Sequence, residues 1–306
     1  MTVFTVLAVL AAPPSPGAPP MATLPVERSF EWIWTATRNR PWRAENVLDQ
    51  KQFDALAALL EAFLTAARAA DSTAATRVAE PLKAYGYTLF AVPVSGGSAL
   101  ALADVDTGAG AFLVRQGTVA AEVILETPHR FHDLWTGNIG REMFDRTSLR
   151  AFFFNSAHRY AATGGEESTK SLSDMAHNER SQLSAFTLAA ARVFRSATFV
   201  QLHGFGGEGA PEGVDAVVSA GGHPHTEAAT ILLRLLGTYT PRAKGYPEAI
   251  DVLGGTGNAQ GKLLAKLDAA FVHVEMSPDL RQRLKDPATA ASFAKVMVQA
   301  FARREK

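Results

Sequence analysis

Cysteine is absent from the 306 residues of this chain. Its absence excludes disulfides, zinc–thiolate sites, thiol catalysis and a lipoprotein anchor, so any bound metal must be held by His, Asp or Glu side chains. An excess of charge is also absent, because 30 Lys and Arg residues balance 30 Asp and Glu residues. A neutral balance gives no electrostatic reason to expect nucleic acid or an anionic membrane surface as a partner.

A long hydrophobic run is absent from the N-terminus, where the apolar stretch at residues 3–12 is too short to span a bilayer as a helix. We therefore expect no stable membrane insertion. The stretch is typical of the central region of a secretory signal, although no Lys or Arg precedes it. Residues 13–20 are rich in Pro, which is typical of a linker. Residues 1–25 are interpreted as a signal-like segment and linker of a secreted or periplasmic protein; a disordered tail and a misassigned start are the alternatives.

Apolar residues make up 47% of the chain, which is enough for one sizeable core. No internal repeat and no second low-complexity break follow the linker, so we predict a single domain over residues 26–306. Helical spacing of apolar residues predicts helices over residues 50–70, 76–84, 174–194, 226–236 and 278–303. Short apolar runs predict strands over residues 87–94, 99–105, 122–126, 150–154, 198–202, 214–219 and 270–275, the first two forming a hairpin at the sheet edge.

Continuous apolar strands separated by helices indicate an α/β fold. We predict one three-layer domain, with a mixed, mostly parallel, twisted sheet and helices on both of its faces. In such sheets, functional groups gather just beyond the carboxyl ends of the strands. Polar residues stand at four of the predicted strand ends: His129, Asn155, His203 and Glu275. This mixture suits a metal hydrolase, which needs imidazoles for zinc, a carboxylate as base and polar groups for the substrate.

The segment from His129 to Asp133 contains several metal-binding side chains. Ligands three or four residues apart can share one metal when the loop turns tightly, so either His132 or Asp133 can join His129. Catalytic zinc commonly has three protein ligands and keeps a position for water. His203 is the natural distant ligand, because the glycines after it let the backbone bend close to a ligand. Each residue also has a structural explanation, since a lone His at a strand end is commonly hydrogen-bonded and Asp133 can cap a helix.

Glu275 closes an apolar strand, so its carboxylate must be desolvated or lie at a cleft. Burial raises the pKa of a carboxyl group, and a nearby zinc ion lowers it again. A carboxylate in that position can take a proton from water that the metal activates and pass it to a leaving nitrogen. The alternatives are a salt bridge to Arg281 and a cap for the terminal helix.

The order of these motifs, a His with an acid close behind it, a distant His on a strand and a late Glu on a strand, resembles the zinc carboxypeptidase-like group. That group includes the succinylglutamate desuccinylases and, more distantly, the N-formylglutamate amidohydrolases. Residues 202–205 (LHGF) resemble the second His strand of the group, and residues 272–281 (VHVEMSPDLR) resemble the late Glu strand. The resemblance implies that residues 26–306 form a zinc hydrolase-like catalytic domain.

The resemblance also implies the roles of the site residues. His129, Asp133 and His203 would bind Zn²⁺, and Glu275 would be the general base and acid. The family has Glu three residues after its first His, whereas here His132 takes that position and the carboxylate follows one residue later. Asp133 is favoured as the ligand, with His132 as the alternative.

The substrate expectation rests on Asn155 and Arg159, which resemble a lengthened form of the Asn-Arg element that binds a substrate carboxylate in carboxypeptidases. The planar guanidinium of Arg suits a carboxylate because it donates at two points. Pairing of Arg159 with Asp174 or Glu166 is the alternative. We expect hydrolysis of an amide or peptide bond near a carboxylate, in a small peptide or an N-acyl amino acid. A catalytically silent binding protein on the same fold is the competing hypothesis, because the family Glu is missing.

Three further motifs are interpreted without a role in metal binding. The segments Asp174–His177 and His223–His225 are predicted to be a helix cap with its flank and a turn before a helix. The Gly-rich residues 254–261 lack the Gly-Lys-Ser/Thr of a phosphate loop. They are predicted to lie at the rim of the site, with Asn258 or Gln260 as a substrate contact.

Overall fold

The computed structural model describes residues 25–301, apart from residues 118, 120, 169–170, 209 and 223–226. The signal-like segment and linker, up to residue 24, and the motif at residues 223–225 therefore lie outside the described residues. Among the helices of the described part, none combines the length and the hydrophobicity that a membrane-spanning helix needs.

Within the described residues, ten strands form one mixed sheet in the order β1-β2-β3-β4-β6-β5-β7-β10-β8-β9. They are β1 Val26–Glu27, β2 Thr88–Val94, β3 Gly97–Ala103, β4 Ala111–Arg115, β5 Ala121–Thr127, β6 Leu149–Phe154, β7 Thr198–Gly204, β8 Ala216–Ser219, β9 Ala243–Gly245 and β10 Phe271–Met276. The central strands β6, β5, β7 and β10 run in parallel, whereas β8 is antiparallel to β10. The predicted hairpin near the edge is confirmed as β2 and β3.

Helices cover both faces of the sheet. They are α1 Phe30–Ala36, α2 Gln50–Arg68, α3 Ser72–Leu82, α4 Thr136–Arg146, α5 Gln182–Val193, α6 Glu227–Tyr239, α7 Ala259–Lys266, α8 Pro278–Arg283 and α9 Pro287–Phe301. One core contains side chains of α1, α4, α6 and α9, and the other contains side chains of α2, α3, α5 and α7. Successive strand residues point to opposite cores, as Phe152 and Phe153 do. The predicted three-layer α/β class with a mixed, mostly parallel sheet is confirmed.

Two predicted helices are wrong in their extent. The helix predicted over residues 174–194 begins only at Gln182, where Ser181 caps it through the N–H of Ser184. The segment before it consists of turns and contains the buried Asp174. The predicted terminal helix is two helices, because Pro287 has no backbone N–H to continue α8 and instead begins α9.

The sequence patterns do not predict β4 and α4, nor the shorter elements β1, β9, α1 and α7. Gly137 and Gly140 obscure the helical pattern of α4, since Gly weakens a helix. The structure explains them by close packing: a Cβ at Gly137 would lie 2.5 Å from Arg130, and one at Gly140 would lie 2.8 Å from Phe152.

Candidate metal and catalytic site

Three adjacent strands bring residues that are distant in sequence to one cavity. β5, β7 and β10 lie side by side and run in parallel. His203 on β7 and Glu275 on β10 are direct neighbours across the two strands, and His129 lies just beyond β5. Because the carboxyl ends of parallel strands meet at one edge of the sheet, these three side chains line one cavity of about 130 Å³. Its other lining residues are Asp133, Arg159, His177, Gly204, Gly255, Asn258 and His273.

Three buried donor atoms form a nearly equilateral triangle in this cavity. Nδ1 of His129 and Nδ1 of His203 are 3.2 Å apart. Each of these nitrogens is 3.3 Å from Oδ2 of Asp133. In a tetrahedral zinc site with metal–ligand bonds of about 2.0–2.1 Å, neighbouring ligand atoms lie about 3.3 Å apart. The triangle therefore has the dimensions of one face of such a tetrahedron, and its donor types fit zinc.

Hydrogen bonds on the far side of both imidazoles indicate which nitrogen faces the cavity. Nε2 of His129 lies 2.9 Å from a carboxylate oxygen of Asp174, and Nε2 of His203 lies 2.7 Å from Oε1 of Gln201. Each acceptor requires a hydrogen on Nε2, so a neutral ring turns the lone pair of Nδ1 inward. Two lone pairs and a carboxylate then face one another, an arrangement that requires a proton or a cation between them. Metal-binding histidines commonly have such outer acceptors.

The orientation of the Gln201 amide is determined by its own partners. Its Nε2 donates to Oε2 of Glu126 at 2.8 Å and to Oε1 of Gln260 at 3.2 Å. Only its oxygen is then left to face His203. Gln260, predicted as a substrate contact, therefore lies behind the cavity and supports Gln201, whereas Asn258 lines the cavity.

The ionisation of the two histidines follows from their surroundings. Burial lowers the pKa of His129, but the carboxylates of Asp133 and Asp174 outweigh it and raise the pKa to about 9. Burial and the neighbouring His273 lower the pKa of His203 to about 4. Burial alone would raise the pKa of Asp133, but the two imidazoles hold it well below its usual range. Without a metal, the triangle thus holds one additional proton, on His129. A divalent cation would compensate the negative charge of the carboxylates more fully.

Asp174 is the main partner of His129 outside the cavity. Its fully buried carboxylate accepts from His129, from Nδ1 of His177 at 3.1 Å and from Nε and Nη2 of Arg159, with Nε at 3.0 Å. The donors of His129, Asp174 and His177 also lie close enough to hold a metal ion. The guanidinium of Arg159 already occupies the Asp174 oxygen that His177 contacts, and His177 itself is exposed. The triangle with Asp133 is the better metal site.

The remaining predicted residues divide between the cavity and its surroundings. Asp133 is buried in the cavity, whereas His132 is exposed and packs beside the ring of Tyr160, 5.2 Å between centroids. Arg159 lines the cavity while pairing with Asp174, as its alternative interpretation expected. Asn155 does not line the cavity: its amide donates to the carbonyl of Pro128 at 3.1 Å and so supports the segment that leads into His129.

His273 is a further cavity residue that was not predicted from the sequence. Its ring lies 4.4 Å from the ring of His203, and its Nε2 lies 3.1 Å from Oε1 of Glu275. The signal was available, because residues two apart on a strand share a face and His273 stands two residues before Glu275. The other oxygen of Glu275, Oε2, is buried and has no hydrogen-bond partner among the described residues. That oxygen is an unused acceptor on a side chain that lines the cavity.

Replacing Glu126 by Gln is expected to flatten the pH dependence of stability. Burial raises the pKa of Glu126 from its usual 4.5 to about 7, although hydrogen bonds from Gln201 and Thr187 lower it. The folded protein then keeps a proton that the unfolded chain loses. Stability from this group is full below about pH 4.5 and falls by roughly 3 kcal/mol as the pH rises to about 7.

Urea unfolding of metal-free wild type and Glu126→Gln at pH 5 and pH 7.5 measures this effect. The amide is isosteric, and its NH₂ can donate to the Thr187 hydroxyl, which lies 2.9 Å from the present carboxylate. The unfolding free energy of wild type, relative to that of Glu126→Gln, should be lower at pH 7.5 than at pH 5. A difference that is equal at both pH values would contradict a raised pKa for Glu126.

Comparisons with known proteins give structural neighbours only. No family model and no curated protein matches the chain. Succinylglutamate desuccinylase from Chromobacterium violaceum is 13% identical with a TM-score of 0.42, over 80% of this chain and 78% of that one. A gene product from Agrobacterium tumefaciens is 14% identical with a TM-score of 0.40, over 60% and 91%. A metallo-carboxypeptidase from Burkholderia cenocepacia is 13% identical with a TM-score of 0.36, over 70% and 63%. A carboxypeptidase and a desuccinylase, the groups that the sequence motifs resemble, are thus among the solved structures to which this chain is similar.

Proposed function

We propose that the chain is a zinc-dependent hydrolase that cleaves an amide or peptide bond near a carboxylate. The observation that carries this proposal is the triangle of His129, Asp133 and His203 donor atoms, 3.2–3.3 Å on each side. Three protein ligands leave the fourth position of a tetrahedral zinc ion open, which is the arrangement of catalytic rather than structural zinc sites. Glu275 lines the same cavity with an oxygen that no described group occupies.

The residues of the chain can divide the reaction between them. His129, Asp133 and His203 would hold the zinc ion, which would supply a Lewis acid that polarises the substrate carbonyl and makes water a stronger acid. Oε2 of Glu275 takes a proton from the attacking water as the new C–O bond forms, and returns it to the leaving nitrogen as the C–N bond breaks. Nε2 of His273 donates to the other oxygen of Glu275, which holds the carboxylate in one orientation.

Arg159 is the residue that we propose for substrate recognition. Its Nε and Nη2 bind Asp174, and its Nη1 lies 3.5 Å from Nδ1 of His129 at the cavity. A carboxylate of the substrate would meet Nη1 close to the reacting bond. The small cavity suits the reacting group of a short peptide or N-acyl amino acid. If the signal-like residues 1–25 direct export, the substrate is met outside the cytoplasm.

Wild-type protein purified with zinc available should contain about one zinc per chain. A metal that binds the folded state but not the unfolded chain stabilises it by mass action, so stripping zinc with a chelator should lower the melting temperature and re-adding it should restore the value. Zinc must displace the proton of His129, whose pKa is raised to about 9, so affinity should weaken as the pH falls. Elemental analysis measures the zinc content, and thermal melts with and without zinc at several pH values measure the stabilisation and its pH dependence. A wild type that stays metal-free in the presence of zinc would refute the proposed function.

A further inference from the structure

Arg281, on α8, is a buried cation whose guanidinium donates, within the described part of the chain, only to backbone carbonyls. Nη1 donates to Leu134 at 2.8 Å, Nη2 to Phe205 at 2.9 Å and Nε to Met276 at 3.2 Å. Three different nitrogens therefore bind three different segments of the chain. Within the described residues, Arg281 forms no ion pair with Glu275. The alternative explanation of Glu275 as the partner of a salt bridge to Arg281 is therefore wrong.

Each of these carbonyls belongs to a residue that stands one or two positions after a proposed site residue. Leu134 follows Asp133, Met276 follows Glu275, and Phe205 stands two residues after His203. We propose that Arg281 is a positioning residue that sets the distances between the Asp133 ligand, the His203 ligand and the Glu275 base. This inference rests on the proposed function, because it concerns the residues of that same site.

The packing around Arg281 explains why a guanidinium is needed. Its planar fork offers five N–H groups in a fixed geometry, whereas the ammonium of Lys is a compact group on a flexible stem and cannot reach three separated carbonyls together. The backbone of Gly204 packs closely against the guanidinium of Arg281, because a Cβ at position 204 would lie 2.6 Å from Cζ of Arg281. The N–H of the same Gly204 donates to Oδ2 of Asp133 at 3.1 Å. The sequence predicts that the glycines after His203 let the backbone approach a ligand. In the structure, Gly204 lets the backbone approach Arg281.

Charge supports the same assignment. Burial lowers the pKa of Arg281, and the nearby carboxylates of Asp133 and Glu275 partly offset that fall. Placing a cation in the interior is costly unless nearby groups compensate it. The compensating carboxylates here belong to the proposed site, so the guanidinium and the site stabilise each other.

Arg281→Lys should weaken zinc binding by about 10- to 100-fold, the usual effect of removing a group that orients metal ligands. Chelator competition measures the zinc dissociation constant. The visible spectrum of the Co²⁺-loaded protein reports the ligand geometry, which a general loss of stability would not change. The matched control is Arg283→Lys on the same helix: Arg283 pairs with Asp215 at 2.8 Å and should leave both readouts as in wild type.

Two further variants keep the test decisive if Arg281→Lys folds poorly. Gly204→Ala keeps the guanidinium but pushes it aside, so it should change the Co²⁺ spectrum in the same way. In Arg281→Ala, added guanidinium ion should restore the wild-type spectrum, whereas an equal concentration of sodium ion should not. Wild-type zinc affinity and an unchanged spectrum in Arg281→Lys or Gly204→Ala would overturn the positioning role. A wild type without zinc would instead overturn the proposed function.

Discussion

Replacing His129 and His203 together by Ala should remove zinc from the purified protein, taking the content from about one ion per chain to near zero. The double variant keeps only Asp133 of the triangle, and a single carboxylate does not hold zinc against a chelator. Asp174 keeps its partners Arg159 and His177, so the loss of His129 leaves that buried carboxylate paired. Elemental analysis after dialysis against a weak chelator measures the zinc, and circular dichroism checks that the fold is retained.

The matched control removes two other histidines near the site. His132 and His158 lie outside the triangle, with their rings 5.5 Å apart. His132→Ala/His158→Ala should keep about one zinc per chain. Zinc loss in that control would indicate His132 or His158, rather than Asp133, as the third ligand. Zinc retained by the His129/His203 double variant would move the metal away from this cavity.

Much of the fold could be predicted because its central strands are buried on both faces. Such strands consist of continuous apolar residues, and their ends are visible as the points where polar residues begin. That rule predicts His129, Asn155, His203 and Glu275 together, and all of them except Asn155 line the cavity. The choice of Asp133 has a local reason in the structure: the N–H of Asp133 donates to the carbonyl of His129 at 2.8 Å, which is the spacing of one helical turn and brings residues four apart to the same side.

The parts that could not be predicted depend on contacts between distant segments. The local pattern around Asp174 is that of a helix cap, yet its carboxylate supports His129, 45 residues earlier in the chain. Arg281 shows the same limit, since spacing suggested Glu275 as its partner, whereas two of the three carbonyls that it binds, those of Leu134 and Phe205, are distant in sequence. No local pattern carries this information, because it arises only when the strand ends meet.

Glu275→Gln should retain zinc and lose hydrolysis by about 10²- to 10⁴-fold, the usual contribution of a general acid–base group. The amide has nearly the same shape as the carboxylate, but it cannot accept a proton from water at neutral pH. None of the triangle atoms is changed, so zinc content should stay close to wild type. Turnover of a panel of N-acyl amino acids and dipeptides, followed by release of the free amine, measures the loss.

A Glu179→Gln variant is the control, because Glu179 is an exposed carboxylate in the neighbouring cavity that shares His177 with the site. It removes the same charge without touching the proposed base, so activity should stay within a few-fold of wild type. Undiminished activity in Glu275→Gln would place the base elsewhere. A wild type that binds zinc but hydrolyses nothing in the panel would favour a silent binding protein, since only hydrolysis requires the free oxygen of Glu275.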